Sequence, residues 1–98
     1  MSKNYSSSLF NEDRWVKRPD ERVYMVDNLL YKYNLKGMPK DEVKKLLGEP
    51  TKTEYFKTPS NIVYYLGPER GFIRIDSEWL TIDFDDKGKV NSFGLARD

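Results

Sequence analysis

The chain has no cysteine and no histidine among its 98 residues. The first absence excludes disulfides and thiol nucleophiles, the second excludes any triad with a histidine base, and the two together exclude zinc sites of the usual Cys/His kind. Charge of one sign is lacking too: 17 Lys plus Arg against 16 Asp plus Glu leave a net charge of +1. That balance removes the electrostatic ground for a nucleic-acid binder or a polybasic membrane anchor. Long apolar runs are missing as well. The opening Met1-Ser2-Lys3-Asn4-Tyr5-Ser6-Ser7-Ser8 carries no apolar stretch behind its lysine, so neither a secretory h-region nor a membrane span is expected. With Met1 as the native start the expected compartment is the cytoplasm; a trimmed signal-bearing precursor would leave a similar Ser-rich leader. No internal repeat is visible.

What is present describes one small water-soluble domain. The mass is 11.6 kDa, 34% of residues are charged and the mean hydropathy is -0.79. Stability should be marginal, roughly 5–10 kcal/mol. Seven Tyr, five Phe and two Trp supply enough ring surface to build a core, which argues against disorder.

Residues 1–18 read as a flexible or loosely docked leader, with Trp15 pinning it to a body formed by residues 19–98. Pro19-Asp20-Glu21 suits the first turn of a helix: proline lacks the donor that would be orphaned there, and two carboxylates suit the positive end of the dipole. Val23, Val26, Leu29, Leu30 and Tyr33 then recur at helical spacing, which predicts one helix over 19–34. A second, short helix follows Pro39. Its buried edge is Val43, Leu46 and Leu47, Gly48 stops it and Pro50 blocks its continuation. From residue 53 the period changes to two. Strands are expected at 53–57, 61–66, 72–76, 79–84 and 89–95, with Asp85-Asp86-Lys87-Gly88 as a hairpin turn. The expected fold class is therefore α+β: two N-terminal helices packed on one face of a three- to four-stranded antiparallel meander.

The segment Gly37-Met38-x-x-x-Glu42-Val43-x-x-Leu46-Leu47-Gly48-x-Pro50 resembles the motif of the BamE/SmpA/OmlA family of small outer-membrane lipoproteins and of related β-lactamase inhibitory protein-like domains. Tyr64-Tyr65-Leu66-Gly67, Leu80-Thr81-Ile82-Asp83-Phe84 and Gly88-Lys89-Val90 agree with it, so the resemblance spans about residues 20–95. It implies two helices against a three-stranded sheet, and a binding role rather than catalysis: scaffolding of envelope machinery or inhibition of an enzyme. It implies no cofactor. The chain departs from the pattern twice. Pro39 stands where many members carry a capping Ser or Thr, and no lipobox cysteine precedes the domain, so a lipid anchor and membrane association would need a longer precursor. The resemblance places the protein in the cell envelope.

Each candidate site has a plainer reading beside it. Asp83 to Gly88 begins like a calcium loop but has Lys87 at the fifth ligand position and Gly94 at the twelfth, so a solvated hairpin is expected. Asp76, Glu78, Asp83 and Asp85 could pair as the acid and base of a small hydrolase, but they read as water-facing positions without pocket walls. Lys40, Lys44 and Lys45 form a helix face diluted by Asp41 and Glu42, and no nucleic-acid role is expected. Strand alternation sets Trp79 opposite in facing to Leu80. With Ile62, Tyr64 and Leu66 pointing inward, Val63 and Tyr65 share Trp79's outer face. Tyr65, Trp79 and Arg70, with Val63 beside them, are then the candidate partner-binding set, in residue types enriched at hot spots. Two alternatives remain for these rings: contact with a partner protein, or cover by the leader through Trp15 or Phe10. The first reading is a noncatalytic interaction module; its rivals are a cytoplasmic accessory or inhibitory protein of the same fold and a carboxylate-dependent hydrolase.

Overall fold

The computed structural model describes residues 8–68 and 76–98. In chain order these form helix α1 (Glu12–Lys17), a 3-10 helix (Pro19–Tyr24), helix α2 (Val26–Lys32), helix α3 (Lys40–Leu47) and strands β1 (Asn61–Pro68), β2 (Ser77–Phe84) and β3 (Val90–Arg97). The strands make one antiparallel sheet in the order β1-β2-β3, with Ile62 opposite Ile82 and Ile82 opposite Phe93. Helices precede a three-stranded meander, so the α+β class holds with three strands among the described residues. The strand expected at 72–76 falls almost wholly outside the described residues. No described helix is long and apolar enough to cross a membrane.

The core lies between the helical layer and the face of the sheet formed by Ile62, Tyr64, Leu66, Leu80, Ile82 and Phe84. Val23, Met25, Val26, Leu29, Leu35, Val43 and Leu47 fill it from the helical side. Phe10 and Trp15 join this cluster, although both precede residue 19. Their rings meet edge to face at 5.6 Å, and Phe10 meets Tyr33 at 5.7 Å. The Phe10 N–H donates to the Asn28 side chain at 2.8 Å. From Phe10 onward the leader is thus part of the packed body. Its isolated Phe and Trp offer no periodicity, and that hid the short α1.

The helix expected over 19–34 is broken. Pro19–Tyr24 winds as a 3-10 helix, Met25 is the hinge, and α2 runs from Val26 to Lys32. The reason lies in what the first half must do. Arg22 is 6% exposed and Val23 2%, so two adjacent side chains point into the protein. Met25 and Val26 are fully buried as well. The tighter winding of a 3-10 helix, three residues per turn, differs from the single α stripe that the spacing suggested. Helix α3 comes closer to expectation, except that Pro39 sits just before its first turn rather than within it. The Pro39 carbonyl accepts from Val43 N–H at 3.1 Å, and Gly48 ends the helix at φ +79°.

The strand expected at 53–57 is absent; Glu54–Phe56 is a turn. Asn61 braces it, accepting from Thr58 N–H at 2.9 Å and donating to the Phe56 carbonyl at 2.8 Å. Phe56 has φ +60°, which ends any regular ladder. Upstream, Thr51 N–H donates to the Val63 carbonyl and Thr51 Oγ1 accepts from Tyr65 N–H, both at 2.8 Å. A single threonine therefore closes part of the outer edge of β1.

Arg22 takes one more carbonyl of that edge. Its Nε donates to the Trp15 carbonyl at 2.7 Å and its Nη1 to the Tyr65 carbonyl at 3.1 Å. The guanidinium stacks over Trp15, 5.1 Å from the ring centre, and lies 5.9 Å from that of Tyr64. Burial lowers the Arg22 pKa, though the group stays charged at any neutral pH. At the same place the register of β1 shifts between Tyr65 and Gly67, and Gly67 has φ +122°. A Cβ built on Gly67 would lie 2.3 Å from the Asp20 carbonyl oxygen. Only glycine lets the 3-10 helix lie this close to β1.

Two stability outcomes follow from this contact. Gly67→Ala should cost about 3 kcal/mol or more in chemical denaturation, since both backbone strain and a backbone clash oppose it. Arg22→Met should cost about 3 kcal/mol, because it strands two carbonyls while keeping much of the apolar stem.

Candidate partner-binding surface

Register and alternation fix the outer face of the sheet. Tyr65 stands opposite Trp79 and Val63 opposite Thr81, all pointing away from the helices. The facing expected for residues 62–66 is the one observed. Exposure is another matter: Val63 is fully buried and Trp79 is 7% exposed, whereas Tyr65 is half-buried. Val63 and Trp79 are thus corrected from surface residues to floor residues. Arg70 lies outside the described residues.

Among the described residues the covering rings do not come from the leader. Phe10 and Trp15 are in the core, on the other face of the sheet. The Tyr55–Phe56 turn supplies them instead. Around Trp79 stand Tyr65 at 5.2 Å, Tyr55 at 5.9 Å and Phe56 at 6.4 Å between ring centres. Tyr55 remains 60% exposed and Phe56 38%. An aromatic platform therefore rests on a buried tryptophan. Among the described residues the Trp79 Nε1–H has no hydrogen-bond partner. Phe56 is held in the left-handed backbone region by its bond to buried Asn61, a conformation that costs a bulky residue about 1 kcal/mol or more. Such strain persists only where the surroundings impose it.

Reading residues 53–57 as a strand hid this turn. Two adjacent aromatics followed by Thr58-Pro59-Ser60-Asn61, all turn-prone types, carried the signal that could have found it. The left-handed backbone of Phe56 has no sequence signal, since a bulky non-glycine residue is seldom found there.

The other candidates separate. Glu78, expected to face water, is 2% exposed and lies on the helical side of the sheet, with Oε2 3.9 Å from Arg97 Nη2. Asp83 points to the opposite side, five residues along β2, or ~17 Å at the rise of an extended strand. These two carboxylates cannot share a substrate bond. Asp85 is a turn residue: its Oδ1 accepts from Lys87 N–H at 2.9 Å and Lys89 N–H at 3.0 Å. Those bonds, the one from Lys89 foremost, hold its pKa below the ordinary carboxylate value. An acid kept ionised in this way is poorly suited to donate a proton. Lys40 is exposed, with its ammonium 5.4 Å from the centre of the Phe84 ring.

A family model described as the outer membrane protein assembly factor BamE domain matches residues 24–94. The same comparisons give no match among curated proteins and none among solved structures. With most of its length matched, the chain belongs to the BamE domain family.

The turn of Asp85 generates a pH prediction. Its folded pKa is depressed, so its stabilising contribution is present above the unfolded value of about 3.9 and is lost as pH falls through the folded one. Asp85→Asn should therefore lose less stability than the parent between pH 5 and pH 2, read from denaturation midpoints across that range.

Proposed function

We propose that this BamE-family chain is a noncatalytic protein-interaction module serving outer-membrane protein assembly, the soluble part of a cell-envelope lipoprotein, and that it grips a protein partner through the outer face of its sheet. The family match supports the assembly role. The observation that carries the surface is the cluster around Trp79. Tyr65 is half-buried, Tyr55 is 60% exposed and Phe56 38% exposed, and all three rest on one buried indole.

The physical argument is one of preorganisation. Exposed rings that are already packed lose little conformational freedom on binding, and Tyr and Trp are favoured where binding energy concentrates. Phe56 is fixed by its braced backbone and Tyr65 by its place in β1. Val63 and Trp79 support the platform from below.

The test uses the purified outer-membrane assembly complex of the same cell, depleted of this chain, and binding of the purified domain to it. Tyr55→Ala and Tyr65→Ala should each weaken binding at least tenfold while the unfolding midpoint moves by only a few degrees. Trp79→Ala is the wrong first variant: removing a buried indole should cost about 3–5 kcal/mol of stability. Unchanged affinity in both tyrosine variants would move the partner to another surface.

A further inference from the structure

The two edges of the sheet are treated differently. The edge of β1 is closed in its middle: Val63 C=O, Tyr65 N–H and Tyr65 C=O are taken by Thr51 and Arg22. The edge of β3 is closed only at its start, where Val90 N–H donates to the Met38 carbonyl and Val90 C=O accepts from Gly37 N–H. Beyond that, β3 pairs with β2 alone among the described residues.

Which groups are left open follows from the ladder. Phe84 N–H donates toward β1, to the Ser60 carbonyl. Alternation then turns the even residues of β2 toward β1 and the odd ones toward β3. Thr81 and Trp79 thus bond Gly94 and Ala96, and the backbone groups of Phe93 and Leu95 point away from the sheet. Their side chains stand opposite Ile82 and Leu80, on the helical side of the sheet, yet Phe93 is 37% exposed and Leu95 43%. From Asn91 to Ala96 the strand carries no charge and no proline. Natural edges are usually blunted by lysine, proline or cover, and this stretch has none of these among the described residues.

Gly94 is the independent observation. It lies mid-strand with no positive φ, and a Cβ built on it meets nothing within 4 Å. A glycine in a strand interior costs stability, and here nothing within the described chain requires it. Gly94 therefore leaves the outer side of the strand without a side chain at its midpoint, with room for the side chains of a strand paired alongside.

We propose that the β3 edge pairs with the β3 edge of a second copy of this chain, antiparallel, with Gly94 on the two-fold axis. This register sets Phe93 against Leu95 of the second copy in a hydrogen-bonded pair, and Gly94 against Gly94 in the closer non-hydrogen-bonded pair. It joins four apolar side chains into one cluster and sets Arg97 against Asn91. Sliding by one step in either direction is worse: Phe93 on the axis opposes Lys89 to Arg97, and Leu95 on the axis opposes Phe93 to Arg97. The pairing makes a continuous six-stranded sheet. A strip this narrow falls at the low end of stable interfaces, so association is reversible and concentration-dependent. The proposal is independent of the partner surface around Trp79, which lies on the outer face of the sheet.

The absence of native cysteine gives a clean test. On the axis, Gly94→Cys places two sulfurs across a non-hydrogen-bonded pair, whose Cα separation of about 4.5 Å lies within disulfide range. Under mild oxidation the Gly94→Cys chain should form covalent dimers at least tenfold faster than a Lys52→Cys control. Ser92→Cys and Ala96→Cys should link to each other when mixed, and only poorly to themselves. In sedimentation velocity the unaltered chain should shift from monomer to dimer with concentration. Leu95→Lys, with folding checked by circular dichroism, should stay monomeric. Equal rates for Gly94→Cys and Lys52→Cys, or an unaltered chain that is monomeric at every concentration, would overturn the proposal. So would protection of the Phe93 and Leu95 amides only on adding the assembly complex, which would make the occupant a foreign strand.

Discussion

The structure hangs on one close approach: the backbone of the 3-10 helix against β1, with the Arg22 guanidinium beside it. Gly67 permits the approach because a Cβ there would collide with the Asp20 carbonyl. Arg22 then satisfies the Trp15 and Tyr65 carbonyls and lies against the Trp15 and Tyr64 rings. One side chain therefore ties α1, the 3-10 helix and β1 together. A buried charge is costly to desolvate and is tolerated here because two carbonyls and two ring faces surround it. The Tyr64 hydroxyl continues the arrangement by donating to the Gly48 carbonyl at 2.8 Å, which ties β1 to the end of α3. Burial raises the Tyr64 pKa, so its proton stays in place for that bond.

That constraint decides what the two faces and two edges of the sheet can do. With the helical layer drawn toward β1, Phe93 and Leu95 on the helical side of β3 stay 37% and 43% exposed. With Thr51 held against the edge of β1, the chain that follows turns across toward Trp79 and delivers Tyr55 and Phe56 to the outer face. The aromatic platform and the open edge are thus two consequences of one packing choice. The proposed partner surface lies on the outer face and the proposed pairing edge on β3.

Much of this was legible in the residues. The period change after residue 53, the Gly48 and Pro50 stop signals and the Asp85–Gly88 turn placed α3, β1, β2 and β3, and the Gly37-to-Pro50 motif carried the family. The alternation around Leu80, Ile82 and Phe84 gave the correct facing of Trp79 and Tyr65. What stayed hidden was tertiary. Arg22 carried no signal, because no local pattern announces a buried guanidinium. The break at Met25 stayed hidden because apolar spacing alone does not tell a 3-10 turn from an α turn. Residues 53–57 have strand composition, and only the left-handed backbone at Phe56 and the brace from Asn61 make them a turn. Val63 and Trp79 showed their side of the sheet but not their burial; the rings over Trp79 come from the Tyr55–Phe56 turn, far from it in the chain.

The measurement that tests this account most directly is backbone amide exchange, residue by residue, in a solution dilute enough to keep the chain monomeric. The account predicts that the Tyr65 amide, held by Thr51 at a closed edge, exchanges as slowly as the Leu80 and Ile82 amides of the central strand, while the Phe93 and Leu95 amides exchange orders of magnitude faster. Tyr65 exchanging as fast as Phe93 would contradict it, because the edge of β1 would then be as open as that of β3.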